Sequence, residues 1–235
     1  MPSATGHRRR IAFFGGSFDP PHLGHLAVAR AARDALRLDT VLFAPVGAQP
    51  LKPLGSTAPF EDRSAMTELA MAGEPGFALS RVDAPNAAGE PNYTAETLEH
   101  QRAEMPDAHL FCLMGADSFA SLRHWRRASE IPFLASLVVA SRPGQNLDRL
   151  AVSMPAGIDL SASESEASSA EPGIELRSYT LRDPNGRNAA FYLLPGLDVE
   201  ISASEIRRLA AAKGPLETLV PAAVAQYIRA QSLYT

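Results

Sequence analysis

The sequence predicts an α/β fold, a Rossmann-like doubly wound parallel sheet with C-terminal helices. Two observations carry this. From residue 10 to residue 144, short apolar stretches alternate with helix-like ones. That is the pattern of βαβ units, whose parallel strands are covered on both faces. The first apolar stretch also ends in Gly15-Gly16, directly before a helix, and open parallel sheets bind ligands beyond the carboxyl ends of their strands. The length of 235 residues and the 46% hydrophobic content suit one large α/β unit. The expected organisation is a flexible tail over 1–10 and a single domain over 11–235.

Each element has its own reason. "RRIAFF" reads as a strand, and "LGHLAVARAARDAL" as a helix rich in Ala and Leu. "DTVLFAPV" is the second strand, and "FEDRSAMTELAMA" carries apolar residues at helical spacing. "FALSRVDA" is a strand, "YTAETLEHQRAEM" a helix, and "AHLFCLMGAD" a strongly apolar strand. "SFASLRHWRRASEI" reads as a broken helix and "SLVVASRPG" as the fifth strand. The serine-rich, acidic run over 159–173 lacks the apolar surface to offset ordering, which predicts a mobile loop. "IELRSYTLRDPNGRNAAFYLLP" then reads as two strands around a "DPNG" turn. "SASEIRRLAAAK" and "PAAVAQYIRAQSL" close the chain as helices, with Pro221 suited to a first turn.

Composition narrows the functional classes. A net charge of -4 gives no basic footprint for nucleic acid. The single cysteine, Cys112, excludes an intramolecular disulfide and reads as core. No apolar run has the length of a signal peptide or a membrane span. A cytoplasmic protein with no membrane or nucleic-acid partner is expected; a homo-oligomer is left open.

The stretch "FFGGSFDPPHLGHLAVA", residues 13–29, carries the chemistry. Gly15 and Gly16 let backbone N–H groups approach an oxygen-rich ligand. The helix that follows offers unpaired N–H groups and a positive dipole end, which favour an anion. His22 and His25, three apart, project from one side of that helix start. Together they form a phosphate clamp. A zinc site with Asp19 as third ligand is the competing reading of the same spacing. Near the end of the chain, Ser202 and Glu205 fit a capping box, and Ile201 with Ile206 fits a hydrophobic staple. Ser204 and Arg207 are left over on the first turns, where an anion is welcome. Gly115 permits close approach at another strand end. Asp117 reads equally as a ribose acceptor or a helix N-cap, and Thr94 reads as an N-cap.

"GGSFDPPHLGH" resembles the H-x-G-H signature of the nucleotidylyltransferase superfamily and, more narrowly, bacterial nicotinate-mononucleotide adenylyltransferase. "NYTAETL", "GADSFASLRHW", "VASRPG" and "ISASEIR" extend the resemblance over nearly the whole chain. The resemblance implies adenylyl transfer from ATP, with Mg²⁺ carried by the nucleotide and no metal-binding side chains, to nicotinate mononucleotide. It puts His22, His25, Lys52 and Arg207 in the catalytic set. It assigns Gly15, Gly16, Ser17, Phe18 and Gly24 to ATP, along with Gly115, Asp117, Ile201 and Ser204. It puts Trp125 against the pyridine ring and Thr94 beside the nicotinate group, while His124 reads as surface. The family pattern "PPHK" is replaced here by "AQPLKP", with Leu51 at the His position and Lys52 keeping the cation. The rival readings are adenylyl or cytidylyl transfer to a phosphopantetheine or a small alcohol phosphate, and a nucleotide sensor without turnover. A class I aminoacyl-tRNA synthetase would need a KMSKS-like loop and a tRNA-binding domain, and the sequence has neither.

Overall fold

The computed structural model describes residues 8–50, 55–141, 152–163, 174–197 and 201–235. Eight strands form one sheet. They are β1 (Arg10–Gly16), β2 (Thr40–Pro45), β3 (Phe77–Leu79), β4 (His109–Gly115), β5 (Ser136–Ala140), β6 (Asp159–Ala162), β7 (Arg177–Arg182) and β8 (Asn188–Leu194). Their order is β3-β2-β1-β4-β5-β8-β7-β6. The first six in that order run parallel, and β7 and β6 add on antiparallel. The strand order reverses between β1 and β4, the place where a doubly wound sheet opens a crevice.

Strand periodicity builds the core on both faces. In β1, Ile11 and Phe13 enter one apolar cluster while Ala12 and Phe14 enter the other. In β4, Leu110, Cys112 and Met114 alternate with Phe111 and Leu113 in the same way. Side chains two apart share a face, so a central strand must be apolar throughout. Each such side chain, fully buried, is worth ~1.5–3 kcal/mol.

The helices are α1 (Leu23–Leu36), α2 (Phe60–Met71), α3 (Thr94–Glu104), α4 (Ala116–Ser121), α5 (Ile131–Leu134), α6 (Ala203–Ala211) and α7 (Ala222–Ala230). Leu26, Ala29, Ala32 and Leu36 of α1 lie on one face of the sheet, and Leu98 of α3 with Phe119 of α4 lies on the other. The small alanines let α1 approach the strands closely. Met66 of α2 packs with Ile206 of α6 and with Val224 and Ile228 of α7. The closing helices are thereby anchored to α2, beside the end of β1.

Four expectations are corrected. The tail over 1–10 ends sooner than expected. Arg8 donates to the carbonyls of Asp107 and Ala108, Arg9 accepts from His109 N, and Arg10 opens β1. Residues 1–7 lie outside the described residues. The expected loop over 159–173 begins as β6, because Leu160 pairs with Leu181 and packs on the core. Residues 164–173 lie outside the described part. The third strand is confined to Phe77–Leu79, shorter than "FALSRVDA". Ser202 is the N-cap residue of α6 but makes no side-chain cap bond, so the capping box does not form. Ile201 and Ile206 do meet in one cluster.

Candidate active site

A cavity of about 1050 Å³ opens at the carboxyl ends of β1 and β4. Every described residue nominated from the sequence lines it. Gly15 and Gly16 end β1, and Ser17 and Phe18 make the turn. A Cβ on Gly15 would fall 2.8 Å from the Phe13 ring, and one on Gly16 would fall 3.3 Å from Phe18. Phe18 is 1% exposed and has a left-handed φ of 45°. A large side chain in that region is held there by its surroundings at a cost of ~1–3 kcal/mol. The chain then passes through a cis Asp19–Pro20 peptide.

The start of α1 is built from the two histidines. His22 is the N-cap residue, and its backbone N–H donates to His25 Nδ1 at 3.2 Å. That bond makes Nδ1 the acceptor, so neutral His25 carries its proton on Nε2. The two rings stack with centroids 3.7 Å apart, and the Phe18 ring lies edge-on to His25 at 4.9 Å. Burial brings the His22 pKa down from 6.5 to about 4. It lowers that of His25 well below 6.5, helped by repulsion from His22. With both pKa values lowered, the two rings are neutral near pH 7. Gly24 lies between them on the same wall.

Asp19 ties this loop to three distant segments. Its carboxylate accepts from Thr57 N at 2.6 Å, Ala58 N at 3.1 Å and the Tyr234 hydroxyl at 2.8 Å. Arg207 Nη1 donates to the Asp19 carbonyl at 2.7 Å, and Nη2 donates to Ser204 Oγ at 3.1 Å. Arg207, Ser204 and Ile201 line the cavity from the start of α6. The zinc reading finds Asp19 committed to these donors. Among the described residues no three His, Cys, Asp or Glu side chains group to hold a metal ion.

Sequence reasoning missed Arg63. This guanidinium is 2% exposed. It donates to the carbonyls of Ala58 (3.1 Å), Ser17 (2.6 Å) and Val46 (2.8 Å). Burial pulls its pKa down, opposed by Asp19. The signal was present, since Arg63 shares the buried face of α2 with Met66, Thr67 and Ala70, the i, i+3, i+4, i+7 stripe. Asp83 was missed too. It is buried in the cavity wall and accepts from Thr97 Oγ1 at 2.5 Å, and burial raises its pKa.

The other end of the cavity is lined from the starts of α3 and α4 and by Trp125. Gly115 is the N-cap of α4, and a Cβ there would meet no protein atom within 4 Å. Asp117 lies in the first turn of α4 and lines the cavity, so it is not the N-cap. Trp125 packs on the core, and its Nε1–H donates to Ser121 Oγ at 3.0 Å. Tyr93, not Thr94, is the N-cap of α3; Thr94 is its first residue and lines the cavity. Arg126 lies 4.6 Å over the Tyr93 ring and pairs with Glu96 at 3.2 Å. His124, read as surface, is exposed yet also lines the cavity. Cys112 is buried, its thiol pushed up to about 12, which fits a core residue. Leu51 and Lys52 lie outside the described residues.

Comparison with known proteins gives a consistent picture. A family model described as Cytidylyltransferase-like matches residues 13–209. The "Probable nicotinate-nucleotide adenylyltransferase" of Pelobacter propionicus is 35% identical over 226 residues, covering 96% of this chain and 98% of its own. The protein of the same name from Corynebacterium kroppenstedtii is 35% identical over 234 residues, covering 100% and 94%. The nicotinic acid mononucleotide adenylyltransferase of Plasmodium falciparum, solved with NaAD, shares the fold. Its TM-score is 0.69 at 15% identity, over 96% of this chain and 97% of its own. With the H-x-G-H pair on the cavity wall and relatives matching end to end, the chain belongs to the cytidylyltransferase-like nucleotidyltransferases, among the nicotinate-nucleotide adenylyltransferases.

Proposed function

We propose that this adenylyltransferase joins ATP to nicotinate mononucleotide between the His22–His25 pair and Trp125, forming deamido-NAD and pyrophosphate. One observation carries the reading. The histidine pair, Arg207, Trp125 and the start of α3 all line a single cavity. The wall at His22 and Arg207 is rich in N–H donors and suits a triphosphate. The wall at Trp125 offers an indole face to a flat electron-poor ring. The N-terminus of the 11-residue helix α3 favours a carboxylate, which supports the acid over the amide.

A phosphate oxygen of the mononucleotide forms a bond to the α-phosphorus of ATP, and the bond from that phosphorus to the bridging oxygen of pyrophosphate breaks. The nucleophile has a second pKa of ~6 and is mostly dianionic near neutrality, so no general base is required. Catalysis is positioning and charge stabilisation along an in-line path. His25 donates from Nε2 and His22 donates beside it, each more strongly as phosphate charge accumulates. Arg207, and Lys52 beyond the described residues, hold the triphosphate tail. Gly15 to Phe18, Gly24, Ile201 and Ser204 shape the nucleotide wall, and Asp117 accepts from a ribose hydroxyl. Mg²⁺ enters as part of the MgATP substrate. Of the carboxylates lining the cavity, Asp19 is taken up by three donors and Asp83 accepts from Thr97, which suits an ion that stays on phosphate oxygens and keeps its waters.

This reading treats residues 11–235 as one functional unit, since residues from Gly15 to Arg207 share the cavity. It puts the enzyme in the cytoplasm with ATP, without a nucleic-acid or membrane partner. The test is a product assay with ATP, Mg²⁺ and either nicotinate or nicotinamide mononucleotide. Rapid deamido-dinucleotide formation with a much slower amide is expected. Equal rates would remove the carboxylate role of the α3 start. Absence of both dinucleotides would point to phosphopantetheine or a small alcohol phosphate as acceptor.

A further inference from the structure

Asp19 and Tyr234 are among the site residues that the reaction leaves unused. Asp19 is 5% exposed and gathers donors from residues 57, 58 and 234, with Arg207 Nη1 4.0 Å from its carboxylate and 2.7 Å from its carbonyl. Arg207 and Thr57 both line the cavity. The hydroxyl that completes the set comes from 215 positions away in sequence. The segment after α7 turns back through two non-glycine residues in the left-handed region, Ser232 at φ 49° and Tyr234 at φ 65°. Residues with a side chain rarely adopt this conformation unless their surroundings hold them in it. Packing of Leu233 and Tyr234 beside Ile228 and Ile206 holds the turn.

We propose that Tyr234 is a positioning residue for the nucleotide: its hydroxyl holds Asp19, and Asp19 in turn fixes Arg207 and the 57–58 backbone at the phosphate end of the cavity. Tyr234 touches no reacting atom. It acts by keeping Arg207 where a triphosphate meets it. A phenol placed beside a buried carboxylate stays protonated, since burial and Asp19 both raise its pKa. The donor is therefore present throughout the working pH range.

The proposal rests on the triphosphate reading of the Arg207 wall but not on the identity of the acceptor. The test is Tyr234→Phe, which keeps the ring and removes the hydroxyl. Calorimetry with an ATP analogue bridged by methylene between the α and β phosphorus reads nucleotide binding without any acceptor. The variant is expected to bind it about three- to tenfold more weakly, the scale of one buried hydrogen bond. Steady-state kinetics should show the same loss in kcat/KM for ATP, with KM for the mononucleotide unchanged. In an Arg207→Ala background the loss from Tyr234→Phe should shrink to less than half, because the two residues act as one unit. Unchanged analogue affinity together with a lowered melting temperature would reduce Tyr234 to a structural role and overturn the proposal. So would full additivity with Arg207→Ala. If the acceptor is not nicotinate mononucleotide, the product assay fails while the analogue titration still decides.

Discussion

His22 and His25 share one proton-poor niche: their rings stack 3.7 Å apart, and the backbone N–H of His22 ends on Nδ1 of His25. The unfolded chain protonates such rings near 6.5, whereas folded His22 does so only near 4. Between these values the unfolded state binds more protons, so stability is full above 6.5 and is lost as pH falls toward 4. At ~1.4 kcal/mol per unit, His22 contributes up to about 3 kcal/mol to that loss. Thermal melts from pH 7.5 to pH 4.5 should show a falling midpoint. The fall should be shallower in His22→Gln.

Loss of His25 should strike turnover. His25→Ala removes the Nε2 donor and the acceptor for His22 N–H. The expected fall in kcat is roughly a hundredfold, as for one oxyanion donor, with circular dichroism unchanged. Near-normal turnover in the folded variant would take His25 out of the mechanism.

Two glycines that line the cavity should respond differently to the same substitution. A Cβ on Gly115 meets no protein atom within 4 Å, so Gly115→Ala should keep the melting temperature. The methyl group would intrude on the ligand, raising KM at least ~5-fold, the effect of about 1 kcal/mol of overpacking. A Cβ on Gly15 meets the Phe13 ring at 2.8 Å. Gly15→Ala should therefore lower the melting temperature before any ligand is added.

Arg63 links stability to the site. Arg63→Met leaves the carbonyls of Ser17, Val46 and Ala58 without their donor. At ~1 kcal/mol or more for each, the melting temperature should drop by roughly 6–12 °C. Arg63→Lys keeps the charge but loses the planar fork and should fall between the two. The order Arg, Lys, Met should hold for kcat/KM with ATP as well, because Ser17 belongs to the phosphate turn.

Much of this was legible in the sequence. The alternation of strands and helices gave the sheet, and the order of Gly15, His22 and His25 gave the cavity, because backbone freedom and helix ends act locally. What local pattern could not give was partnership across the chain. Asp19 reads as part of a proline turn until Thr57, Arg207 and Tyr234 are brought to it. The capping box predicted at Ser202 failed because local spacing permits a bond that the structure does not make. Leu160 was hidden in a serine-rich run, and only its pairing with Leu181 made it a strand residue.

The bond from Tyr234 to Asp19 also has a meaning in time. A growing chain can lay down β1, the glycine turn and both histidines early in synthesis. The carboxylate of Asp19 must then wait, without its third donor, until residue 234 has left the ribosome. A translation pause between β8 and Tyr234 would leave every sheet strand made and the nucleotide pocket unfinished. Ribosome-bound chains halted before Tyr234 would thus carry the residues of all eight strands and still be poor at holding ATP.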